Sequence, residues 1–202
     1  NALYDFVPGC VFNNAGTCTK SASAGTTDLA LTFNNTGNVN VNSGILAVSG
    51  GGTSTGAWNA NGGAIFFGGN HELNAGTTIA GNGTVEFGSG ITNLNSGSYN
   101  VALTRFSGGT ANFDAVGATT SALELSNGYL GGSLTVNGPL TWTGGAVGAT
   151  VQANGDSQFS GGGRSLQNGA VFNNGGSVNW SAGQIYADAG GPSTINNQSG
   201  AN

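Results

Sequence analysis

One four-residue signature returns eight times along this chain: a large apolar residue, a small residue, a second small or amide residue, then Gly or Asn. Its anchors are Val48, Phe67, Phe87, Phe106, Leu125, Trp142, Phe159 and Trp180, at successive spacings of 19, 20, 19, 19, 17, 17 and 21 residues. A period held near 20 residues is the mark of a solenoid, in which each repeat buries its apolar side only against the repeats above and below it. Each period divides further. After Phe67, Leu73 and Ala80 are again followed by turn residues, and the next period repeats the division at Leu94 and Tyr99 before reaching Phe106. Three short extended pieces per period, each closed by a Gly or Asn that tolerates positive φ, describe a triangle. Such strands are too short to stand alone, but stacking each on the one below gives every backbone a ladder. The sequence therefore predicts an all-β parallel β-solenoid (β-helix) with roughly triangular coils of about 19 residues. About ten coils would make a rod of roughly 45–50 Å at one strand spacing per coil.

The unbroken repeat argues for one continuous domain over residues 28–202. Residues 1–27 are expected to be an irregular first coil or cap that carries the only two cysteines. The apolar cluster Leu3, Tyr4, Phe6, Val7 and Pro8 precedes them. The corner Phe12-Asn13-Asn14 returns as Phe33-Asn34-Asn35 and Phe172-Asn173-Asn174, so the repeat already begins near residue 10. Between Asp114 and Ser121 a longer polar excursion is expected. A disulfide joining Cys10 and Cys18 across one corner is the reading of that pair, which has no accompanying ligands for a metal and is too widely spaced for a CxxC redox motif. Such a bond would place the protein outside the reducing cytosol.

Composition narrows the function. Only 5% of residues are charged, the net charge is −5, and the cations are Lys20, Arg105 and Arg164. Three scattered cations cannot neutralise a phosphate backbone, so no nucleic-acid partner is expected. No apolar run is long enough for a membrane span. The chain begins at Asn1 without Met or a leader, which reads as a mature form or an excised piece.

Stacked rings are strongly driven to burial, so the anchors are expected to point inward. Their predecessors Ala47, Phe66, Glu86, Arg105, Glu124, Thr141, Gln158 and Asn179 then point outward, and six of these eight are polar. Trp58, Tyr129 and Tyr186 are the aromatics this register leaves without an assigned side. Glu86, Arg105 and Glu124 should stack as an exposed acid, base and acid, one per coil. The two carboxylates would then lie ~9.6 Å apart, a separation open to an inverting glycosidase pair, but the cation between them favours the charged form of both. His71, the one histidine, reads as an exposed corner residue without a catalytic partner. No catalytic, cofactor-binding or metal-binding set is expected, and no cofactor.

With these motifs in hand, residues 31–202 resemble the secreted β-strand-repeat surface proteins of bacteria, the filamentous-haemagglutinin-like and autotransporter-like β-solenoids. The phrases Phe33-Asn34-Asn35-Thr36-Gly37-Asn38-Val39-Asn40-Val41 and Gly176-Ser177-Val178-Asn179-Trp180-Ser181-Ala182-Gly183 carry the likeness. The resemblance implies an extracellular, cell-surface location and a role as stalk, adhesive surface or wall-like layer. It brings no catalytic residues. The expected function is a non-enzymatic structural or adhesive module that self-associates head to tail into a fibre or adjoins neighbouring repeats of a longer chain. The alternative is a glycan-binding or polysaccharide-cleaving β-helix domain, which needs a groove lined by outward aromatics and carboxylates.

Overall fold

The computed structural model describes residues 1–4, 9–114, 117–187 and 190–202. Asp5, Phe6, Val7, Pro8 and Asp188, and two positions within the expected excursion after Asp114, lie outside the described residues. Over the rest the chain is an all-β parallel β-solenoid of about 19 residues per turn, with no helix among the described residues. About ten coils are stacked. Coil 1 is built from Ala2–Tyr4, Val11–Asn14 and Thr17–Lys20, and coil 10 from Val178–Trp180, Ile185–Ala187 and Thr194–Asn197. In the middle of the rod single strands run on around the corners, the longest being Thr119–Val136 with 18 residues.

Every strand pair is parallel, and the registers join into columns that run the length of the rod. On the first face the anchor column runs from Leu3 and Leu29 through Val48, Phe67, Phe87, Phe106, Leu125, Trp142 and Phe159 to Trp180. From Leu29 to Phe159 the residues in this column are buried. The rings touch in sequence: Phe67 and Phe87 are stacked at 5.8 Å, and Phe87 meets Phe106 at 5.1 Å. Alternation does the sorting, since a residue one position from an inward side chain faces out. Trp58, unassigned from sequence, lies wholly inside, 5.2 Å from the Phe67 ring.

Asparagine is the other structural device. Identical amides one coil apart donate to one another, as in Asn14 to Asn35 at 2.8 Å, Asn40 and Asn59 at 2.9 Å, Asn93 and Asn112 at 2.8 Å, and Asn174 to Asn197 at 2.7 Å. Each bond satisfies one amide donor and one amide acceptor, in buried positions at Asn14 and Asn35 and in half-buried outward ones at Asn40, Asn59, Asn93 and Asn112.

Two expectations need correction here. Cys10 and Cys18 are not joined to each other. Cys18 sits beneath Val39 in an inward column and packs against the core, whereas Cys10 stands exposed before the strand Val11–Asn14, which lies between the two. His71 is not an exposed corner residue either; it is 1% exposed. In the strand His71–Leu73 both end residues face the core and only Glu72 faces out.

Candidate functional site

The outward column beside the anchors brings together four charged side chains, Asp28, Glu86, Arg105 and Glu124. It runs Asp28, Ala47, Phe66, Glu86, Arg105, Glu124, Thr141, Gln158, Asn179, one residue per coil. Arg105 Nε donates to Glu124 Oε2 at 2.7 Å, and its Nη1 lies 3.7 Å from Glu86 Oε2. The sequence register is thus reproduced. The hydrogen bond with Glu124, with added attraction from both carboxylates, holds the Arg105 pKa above its ordinary value. Ser107 Oγ also donates to Glu86, at 2.6 Å. Glu124 thus accepts a hydrogen bond from Arg105, and Glu86 accepts one from Ser107 while lying within ion-pair distance of the same cation.

Below this triad lies a shallow groove of about 350 Å³, lined by Thr26, Asp28, Ile45, Ala47, Ser49, Phe66 and Glu86. Phe66 owes its position to glycines: a side chain at Gly88 would run into the far end of its ring, and one at Gly68 would press on Cε1 at 3.0 Å. The carboxylate of Asp28 is held by Ser49 Oγ at 2.5 Å. The groove thus combines an aromatic side chain with two carboxylates and hydroxyls. Tyr129 is seated likewise, its hydroxyl end filling the space above Gly148 and accepting from Asn168 Nδ2 at 2.8 Å.

Three basic groups among the described residues are buried: His71, Arg164 and Lys20. His71 Nε2 is 2.9 Å from the Val48 carbonyl and 2.8 Å from that of Gly68. Desolvation lowers its pKa, partly opposed by those two carbonyls, so the ring sits neutral with an Nε2 proton shared between them. Arg164 is fully buried, with no carboxylate partner among the described residues. Its guanidinium carbon lies 6.0, 5.7 and 5.4 Å from the ring centroids of Trp142, Phe159 and Trp180. Nη2 donates to the Ala182 carbonyl at 2.7 Å, while Nε has no partner. Burial pushes its pKa down; three ring faces and the carbonyls offset part of the cost of a desolvated cation.

Sequence reasoning missed this cage. A signal for it existed, because Arg164 stands over Gly145 in the corner column, where the coil below has no side chain at all. Phe66 carried a signal too, as an apolar exception in an outward row. Lys20, the remaining cation, is buried in coil 1 with Nζ donating to the Ser23 carbonyl at 3.1 Å. Among the described residues no group of three or more His, Cys, Asp or Glu is placed to hold a metal ion.

Compared with protein-family models, curated proteins and solved structures, the chain matches none.

Proposed function

We propose that this chain is a non-enzymatic structural or adhesive segment of an extracellular rod, continued along its axis by further β-solenoid coils. One observation carries the reading. Among the described residues eight large hydrophobic side chains are exposed; seven of them (Leu3, Tyr4, Val11, Phe12, Trp180, Tyr186 and Ile195) lie on coil 1 or coil 10, and only Ile91 lies between. Four of the seven, Leu3, Phe12, Trp180 and Ile195, are the end members of inward columns, which thus run exposed into both end faces, where strand edges recruit other strands. The low charge and the resemblance to secreted bacterial β-strand-repeat surface proteins support the location. Immunogold labelling of intact source cells tests it: the rod is expected to be labelled from outside, and labelling only after permeabilisation refutes the extracellular assignment.

A second reading rests on the groove beside Phe66. An aromatic side chain flanked by carboxylate acceptors and hydroxyls is suited to the apolar face and the hydroxyl rim of one sugar unit. Saturable binding on a glycan array, abolished by Phe66→Ala with unchanged far-UV circular dichroism, supports it. Equal binding by the variant removes it.

A further inference from the structure

We infer that the end coils cover each other: coil 10 of one molecule takes coil 1 of a second copy of this chain, in continuous register. The inference rests on the axial reading above and names the partner. Following each inward column from end to end shows which residues would meet. In the anchor column, Trp180, 50% exposed, would meet Leu3, 44% exposed. On the second face the column that starts at Phe12 and Phe33 ends at Leu166 and Ala187, so a small residue meets a large ring. On the third face Cys18 and Val39 begin the column that ends at Phe172 and Ile195, the last 46% exposed. In these three inward columns an apolar residue at one end faces an apolar residue at the other, and their sizes complement one another. The same alternation fills the interior, where Leu125 carries Trp142 and Trp58 carries Ile79.

The backbone imposes the direction. All the ladders among the described residues are parallel, and a second rod that continues them adds with its strands running the same way, head to tail. Unlike ends then meet, the contact is heterologous, and the assembly stays open. Among the described side chains of the two end coils only Lys20 is charged, and it would lie over the amide of Asn197.

Sedimentation velocity on the wild-type chain and two variants tests the joint. Leu3→Asp blocks the head, and Ile195→Asp blocks the tail. The wild type is expected to grow past dimers as concentration rises, each variant alone to stay monomeric, and their equimolar mixture to form dimers and stop. Growth of either variant alone, or of the mixture past dimers, overturns the head-to-tail joint. Amide hydrogen exchange shows that the variants remain folded and separates the two claims. A wild-type monomer at high concentration whose end coils exchange fast overturns the second copy while the open ends stand; one whose end coils exchange as slowly as the middle overturns both.

Discussion

Replacing Phe87 with Ala should cut the rod near its middle. Phe87 is 1% exposed and touches three rings: Phe67 at 5.8 Å, Phe106 at 5.1 Å and Phe113 edge-on at 5.8 Å. Truncating a buried Phe in an ordinary core costs about 3–5 kcal/mol, depending on how far the surroundings collapse into the space. Collapse is restricted here, because hydrogen-bonded ladders above and below hold the coils at their fixed spacing. Three aromatic pairs are lost as well, at roughly 0.5–1.5 kcal/mol each in favourable geometry. The loss should therefore reach the upper part of the range, about 4–5 kcal/mol, a third or more of the stability of a typical domain. Urea unfolding followed by circular dichroism measures it from the midpoint. Because each coil contacts only its neighbours, fluorescence of Trp58 and Trp180, on opposite sides of the cut, should separate into two transitions. Phe66→Ala, one residue away but outward and half-buried, is the control and should cost much less. A loss below about 2 kcal/mol for Phe87→Ala, or equal losses for the two variants, would refute the claim that the anchor column is the core.

Three other outcomes are expected. Arg105→Ala should change stability by only about 0–1 kcal/mol, because the pair lies on the surface with the Arg105 side chain 39% exposed; a larger loss in 0.15 M salt would contradict that. His71, with its pKa lowered in the fold, binds a proton more readily when unfolded. Stability should thus be full above about pH 6.5 and fall as pH drops below it. Comparing urea midpoints at pH 7.5 and 5.5 for wild type and His71→Leu checks this, since the variant should lose less on acidification. Gly90→Ala should cost about 1–3 kcal/mol, because φ is +69° there and the added carbon would run into the Gly69 carbonyl. Gly162→Ala, where nothing stands within 4 Å, should stay within about 0.5 kcal/mol, and similar losses for both would show that the corners are not tightly stacked.

The column from Glu86 through Arg105 to Glu124 was legible because it depends only on period: the residues follow one another at 19-residue steps, and the structure places them 3.7 and 2.7 Å apart. Direction was legible for the same reason. Cover was not. Trp180 sits in the anchor row like Trp142, yet it is half exposed while Trp142 is 1% exposed, because burial in a solenoid needs a coil on both sides and a row reports only which way a side chain points. His71 was misread from its neighbours in sequence, since its carbonyl partners come from Val48 and Gly68. Arg164 was opaque because its cage is assembled from Trp142, Phe159 and Trp180, one per coil, and a cation in a sequence gives no warning that three rings converge on it. Cys10 and Cys18 suggested a bridge by proximity along the chain, which says nothing about the strand that separates them.

The most direct test of the axial account is cryo-electron microscopy of the purified chain over a wide concentration range, scoring the length and width of every particle. The account predicts rods of one width whose lengths are whole multiples of roughly 48 Å, the height of about ten strand spacings, with the longer classes gaining at higher concentration. Particles that stay one rod long at every concentration, or that widen by packing side to side, would contradict it.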